Sequence, residues 1–417
     1  MMNITSIAAR EILDSRGNPT IEATVTLSDG TIGIASVPSG ASTGSYETIE
    51  LRDSRSERYN GLGVLHAVKN IEETIAPALI GHDVTYQREL DDIMIRLDGT
   101  PNKSKLGGNA ILAVSLAIAR SAALAQKIPL FKYLRTYFPK AGDAFVLPIP
   151  FMNIMNGGAH AGWTTDIQEY MIMPQAETMA DRVRIGTEIY ERLKGIIGKA
   201  GLSEGLGDEG GFAPKVENNE EPFTLILEAI KIAGYEAGKD ITLAIDAAAS
   251  EWYRNGQYHL KKQGNMDSEK LMEWYNELVA KYFLVSIEDP FGEDDWTSFR
   301  EFTKSVSTNI QIVGDDLYVT NVNRIERGIQ EKATTTVLIK PNQIGTLSET
   351  IAAITLAHDH NLKTIISHRS GETMDDFIAD LAVAANSGQI KAGAPARGER
   401  VAKYNRLMEI EREITGI

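Results

Sequence analysis

The chain has 417 residues, 43% hydrophobic and 24% charged, which is room for two domains or for a barrel with one more unit. Its 42 lysines and arginines stand against 57 aspartates and glutamates, giving a formal charge of −15 and a pI near 5.1; that argues against a non-specific nucleic-acid binder, which needs a basic face. There is no cysteine, so disulfides, thiolate zinc sites and cysteine nucleophiles are excluded.

Residues 1–10 carry no long apolar core behind a basic start, so a signal peptide is not expected. Residues 3–36 alternate and are broken by Arg16-Gly17-Asn18-Pro19 and Ser28-Asp29-Gly30, which read as turns between antiparallel strands. The small-residue run Pro38-Ser39-Gly40-Ala41-Ser42-Thr43-Gly44-Ser45 reads either as a plain loop or as a mobile lid offering oxygen ligands and backbone N–H groups. Helical periodicity follows over 63–79, 86–97 and 109–125, and strands followed by helices make an α+β domain. The most apolar stretch, 110–119, is too short to span a bilayer and reads as a buried helix. Residues 137–143, with Pro139 and Gly142 and no periodicity, are the best linker, dividing the chain into 1–137 and 138–417.

The second part opens with an apolar run at 146–151 and a loop at 153–162 containing Asn156-Gly157-Gly158-Ala159-His160. Residues 166–174 read as a strand, with Glu169 inside an apolar run, where it either faces water or serves a site. Gly207-Asp208-Glu209-Gly210-Gly211 sets an acid pair in a glycine-rich turn, again either a surface turn or a functional one. From 241 to 393, short β-branched runs each end in a charged group: Asp246, Glu288-Asp289, Asp315-Asp316, Lys340, Ser367-His368-Arg369-Ser370 and Lys391. Amphipathic stretches such as 348–358 separate them, and repeated strand–helix units of this size suggest a parallel barrel whose C-terminal strand ends line the active site. Charged residues often follow strands because loops are solvated, but here acids and bases are grouped at successive strand ends. Three carboxylates around one mouth repel unless a cation sits among them. Oxygen ligands without cysteine suggest Mg²⁺.

Taken in order and spacing, Ser15-Arg16-Gly17-Asn18-Pro19-Thr20, 38–44, Asn156-Gly157-Gly158, 207–211, 286–290, 314–317, 367–372 and 401–405 resemble the enolase family over essentially the whole chain. The resemblance implies an α/β fold: a modified TIM-type (β/α)8 barrel, its first strands partly antiparallel, with an N-terminal α+β capping domain. It implies a Mg²⁺-dependent hydro-lyase of glycolysis and gluconeogenesis that interconverts 2-phosphoglycerate with phosphoenolpyruvate and water. It also implies a cytoplasmic homodimer or octamer of dimers, with no membrane span and no specific nucleic-acid partner; secondary display at the cell surface stays open. By the same resemblance, Asp246, Glu288 and Asp315 match the ligands of a first Mg²⁺, and Ser42 the lid ligand of a second. Lys340 matches the base and Glu209 the general acid, with Glu169 beside it. Arg369 and Ser370 match the phosphate binders, Lys391 the partner of the substrate carboxylate, His160 and Gln168 groups that close around the ligand, and His368 a supporting residue. Ala392, Gly398, Ala247 and Trp163 depart from the family's usual residues, and Trp163 bears on how the His160 loop closes.

The chemistry needs such groups. Removing a proton next to a carboxylate creates a doubly charged species that cations must stabilise as it forms. A lysine or histidine base working with one or two Mg²⁺ ions is the known enolase-superfamily pattern and is taken as such. Lys340 is expected to be neutral to act, and Glu209 to hold a proton with which the hydroxyl can leave. Two other readings are a barrel of the same superfamily acting on a different carboxylate, which the phosphate pair and the Ser42 loop disfavour, and a non-catalytic surface-binding protein. The latter often uses C-terminal lysines, and this chain ends in Thr415-Gly416-Ile417.

Overall fold

The alternation near the N-terminus becomes a three-stranded antiparallel sheet, β1 (Ile4–Leu13), β2 (Pro19–Leu27) and β3 (Ile32–Ser36), in a computed structural model that describes residues 2–40, 44–306 and 309–416. Ile21, Ala23, Val25 and Leu27 point inward at every second position, as the pleat requires, and are almost fully buried. The helix Gly108–Ala125 lies across β2 and β3. It is longer than the apolar run suggested, and by length and composition it could cross a membrane, yet 83% of it is buried inside the protein. It is the core helix of the cap.

That packing depends on one glycine. A Cβ on Gly33 would lie 2.4 Å from the backbone nitrogen of Ser121 and 2.6 Å from the carbonyl oxygen of Ala117. Backbone cannot swing aside as a side chain can. Gly33→Ala is therefore expected to destabilise the fold by about 1–3 kcal/mol, the usual range for overpacking. Thermal denaturation checks it; an unchanged melting temperature would show that sheet and helix part freely.

The barrel is closed by β4 (Ile149–Asn156), β5 (Glu169–Pro174), β6 (Ile241–Asp246), and, after a small three-stranded sheet of β7 (Tyr253–Arg254), β8 (Gln257–Leu260) and β9 (Gly264–Met266), by β10 (Leu284–Glu288), β11 (Gln311–Gly314), β12 (Thr336–Ile339), β13 (Lys363–Ser367) and β14 (Gln389–Lys391). β5 runs antiparallel to both its neighbours, and every other barrel pairing except those two is parallel. Phe151, Met171, Met173, Ala244, Val313, Leu338 and Ile365 form a buried cluster of their own, drawn from six strands. It plugs the barrel interior, and the polar residues collect at the strand ends. The helix expected over 348–358 is Leu347–Asp359.

The strand expected over 166–174 begins only at Glu169. Asp166 is the reason. Its carboxylate accepts the backbone N–H groups of Lys261 and Lys262 (2.6 and 2.9 Å) and the Asn219 amide (2.8 Å), bending the chain out of the ladder. The expected linker, 137–143, holds a short 3₁₀ turn, Pro139–Ala141. Cap and barrel also meet where Ser39 and Gly371 exchange backbone hydrogen bonds of 2.7 and 2.9 Å, and where Arg120 pairs with Asp375 and Asp376 at 2.8 Å.

Candidate active site

Strand geometry brings the charged residues to one end of the barrel. Asp246, Glu288 and Lys391 are the last residues of β6, β10 and β14, while Asp315 and Lys340 directly follow β11 and β12. Because β5 is antiparallel, its first residue, Glu169, lands at the same end, paired in register with Asp246, which is also level with Glu288. His368, Arg369 and Ser370 follow β13. One cavity is lined by His160, Gln168, Glu169, Glu209, Asp246, Asp315, Lys340, His368, Arg369, Ser370 and Lys391. Of the residues nominated from sequence, Glu288 is buried among this group without lining the cavity, and Ser42 lies outside the described residues.

Two lysines organise the acids. Lys391 Nζ lies 2.9 Å from both oxygens of Glu288, 3.1 Å from Glu169 Oε2 and 3.5 Å from Asp246 Oδ2. Burial opposes its charge, but Glu169, Glu288 and Asp246 outweigh that and hold it well above the ordinary lysine value. Lys340 Nζ is in tight contact with Asp315 Oδ2, whose other oxygen accepts the Gln343 amide at 2.8 Å. Burial favours neutral Lys340, yet the Asp315 charge prevails and raises its pKa. The expected neutral lysine is thus a paired ammonium in this arrangement, because its nearest charge is an acid rather than a cation.

Glu169 and Glu209 divide a proton. Burial, and then the Glu209 charge, push Glu169 well above the carboxylate range. Burial works the same way on Glu209; protonated His368 and His160 would pull it low, but burial pushes both histidines down, His368 to about 4, so near neutral pH the pull that remains is the His368 contact and the Lys391 charge. The two carboxylates compete for one proton, which belongs to the pair rather than to either residue. His160 Nδ1 stands between the two, 3.9 Å from Glu169 Oε1 and 3.7 Å from Glu209 Oε1. The His160 loop carries Trp163, at a φ of 64°, with the Lys261 ammonium 4.3 Å from its ring centre, a cation–π contact that ties the loop to the β8–β9 turn.

Sequence reasoning missed several partners. Glu47 takes both arms of Arg369 (2.8 and 3.2 Å), and Asn153 donates to Glu209 at 3.0 Å. Asp289 accepts the backbone N–H groups of Asp315 and Asp316. Asp289 and Asp316 were visible as the second members of the acid pairs; Asn153 was expected to open the loop, but it lies inside β4, which runs on to Asn156. Glu47 gave no signal.

Among the described residues, two groups have ligand atoms all within 4.8 Å of one another: His160, Glu169 and Glu209, and Asp289, Asp315 and Asp316. The expected trio of Asp246, Glu288 and Asp315 is not among them: Lys391 lies between Asp246 and Glu288, and Asp315 pairs with Lys340. The donor set still suits a hard divalent cation: buried oxygens, no sulfur, and a Gln168 Oε1 left without a hydrogen-bond partner beside Asp246. Burial and the charge of Asp246 push Glu288 up to about 8. A cation needs the ionised carboxylate, so below about pH 8 a proton competes with it. Mg²⁺ binding is expected to release protons at pH 7, and its affinity to rise toward pH 8. Calorimetry in two buffers of different ionisation heat reads this directly, and equal heats in both would contradict it.

Two family models match the chain. One, described as "Enolase, N-terminal domain", covers residues 4–134, and the other, "Enolase, C-terminal TIM barrel domain", covers 144–416. The enolase of Acidothermus cellulolyticus is 56% identical over 415 residues, spanning 99% of this chain and 95% of that relative.

Proposed function

Because the chain belongs to the enolase family, the lyases that interconvert 2-phosphoglycerate with phosphoenolpyruvate and water, we propose that its buried polar cavity performs that reaction with Lys340 as base and Glu209 as acid. The supporting observation is that one cavity is lined at once by Lys340, Glu209, Arg369, Ser370 and Lys391. Arg369 and Ser370 receive the phosphate, the Arg369 guanidinium being held in place by Glu47. Lys391 faces the substrate carboxylate, and Gln168 and His368 hold neighbouring carboxyl groups in place. Lys340 takes the C2 proton after losing its own. Glu209 then protonates the departing hydroxyl, with Glu169 beside it and His160 Nδ1 3.9 and 3.7 Å from the two acids. Bound Mg²⁺, two ions per site, would be held by Asp246, Glu288 and Asp315, with Ser42 for the second, and would supply charge stabilisation for the carboxylate while relieving the Asp315 charge that keeps Lys340 protonated.

Family matches over 4–134 and 144–416 support a division into 1–137 and 138–417. The same proposal includes homodimeric assembly, or an octamer of dimers, and action in the cytoplasm. The test is formation of phosphoenolpyruvate from 2-phosphoglycerate by the purified chain with Mg²⁺. No product under those conditions would end this reading.

A further inference from the structure

Arg400 sits on the helix Gly398–Thr415 and is fully buried. Its Nη1 lies 2.6 Å from His368 Nδ1 and 2.6 Å from the carbonyl of Arg369; its Nη2 lies 2.6 Å from the carbonyl of Ser370 and 3.1 Å from that of Asp208. We propose that Arg400 is a positioning residue: it fixes His368 as the Nε2–H tautomer, which commits Glu209 Oε2 to accepting and leaves Oε1 as the atom that carries the acid proton. The inference rests on the reading of Glu209 as the acid.

The argument is one of donors and acceptors. A guanidinium only donates, and a carbonyl only accepts. Three carbonyls hold the fork in place, so it cannot turn away from His368, and Nδ1 must present its lone pair. A neutral imidazole then has its proton on Nε2. A proton on Nδ1 would set N–H against N–H across 2.6 Å. Nε2 lies 3.2 Å from Glu209 Oε2 at an angle that makes no hydrogen bond, and the Asn153 amide donates to the same oxygen at 3.0 Å. With the Asn153 amide bonded to Oε2 and the His368 Nε2–H next to it, a hydroxyl proton is better accommodated on Oε1. Oε1 faces His160 Nδ1, which lines the cavity and has no hydrogen-bond partner. Gly393 fits the same design. At φ +83° it passes so close that a Cβ would lie 2.8 Å from Arg400 Cδ, 2.8 Å from the Glu209 carbonyl and 3.1 Å from His368 Cε1.

Nitrogen NMR of the intact Mg²⁺-loaded enzyme, labelled in its 7 histidines, reads the tautomer; His368→Gln identifies the signal by its loss. The expected result at pH 7 is a bare Nδ1 and a protonated Nε2. A protonated Nδ1 overturns the proposal, and this reading needs no variant of Arg400 to fold. Arg400→Met is then expected to mix the tautomers and slow elimination by about 10²-fold while C2 hydrogen exchange persists, and Arg400→Lys, which keeps donors, to recover most of the loss. Mixed tautomers with an unchanged ratio of elimination to exchange would overturn the link to the acid. Failure of the underlying reading looks different: Glu209→Gln would then eliminate normally whatever the tautomer of His368.

Discussion

Lys340→Ala is expected to lose both exchange of the C2 hydrogen with solvent and formation of phosphoenolpyruvate, each by about 10²–10⁴-fold or more, while staying folded. Both activities begin with removal of the C2 proton, so a missing base stops both. The fold should tolerate the change for local reasons. The backbone N–H of Lys340 donates to Thr320 Oγ1 at 2.9 Å, and truncation leaves that bond intact. Asp315 loses its ammonium partner but keeps Gln343 at 2.8 Å. Circular dichroism of the variant guards against a trivial loss. A folded Lys340→Ala protein that still exchanges the C2 hydrogen would move the base to another residue. Because the Asp315 charge raises Lys340 above its ordinary value, relief of that charge is part of making the base, and the base activity should respond to whatever occupies Asp315.

The second large effect is removal of the divalent cation. Excess chelator is expected to bring product formation to background, and Mg²⁺ to restore it. The intermediate carries two negative charges on a carboxylate beside a phosphate, in a pocket already lined by acids. Electrostatic stabilisation by a metal in such a site amounts to several kcal/mol, roughly 10³-fold in rate or more. Lys391 and Arg369 cannot replace it, since Lys391 is engaged by Glu288 and Glu169, and Arg369 by Glu47. Asp246→Ala should weaken Mg²⁺ binding while leaving the barrel intact, because Asp246 ends its strand and its side chain faces the mouth. Full turnover in excess chelator would contradict the assignment.

Much of this site could be read from the chain because strand ends and chemistry coincide. Asp246, Glu288 and Lys391 each close a strand, and Asp315 and Lys340 each follow one directly. A parallel barrel carries all such ends to one side, so position in sequence predicts position in space. The antiparallel β5 was less accessible. Its start rather than its end reaches the mouth, and the bend before Glu169 is made by Asp166 bonding to residues far along the chain. Glu47 was invisible for a similar reason. It belongs to a cap loop and meets Arg369 across 322 residues, a pairing no local period reports. Protonation was the least legible property. The expected neutral Lys340 and protonated Glu209 both follow from what the chemistry requires. The charges on the residues themselves depend on distances of 3–4 Å between side chains brought together from different strands and loops.

The central claim is that proton removal and hydroxyl loss belong to different residues, Lys340 and Glu209. Glu209→Gln tests it most directly. The amide cannot protonate the leaving hydroxyl, but it keeps the shape of the side chain and leaves Lys340, Arg369 and Lys391 in place. One sample of this variant with 2-phosphoglycerate and Mg²⁺ in deuterated water reports both steps. The account predicts that deuterium enters at C2 while phosphoenolpyruvate formation falls by about 10²–10⁴-fold. Equal loss of exchange and elimination in the folded variant would contradict it and make Glu209 a residue that positions the substrate for a single concerted step.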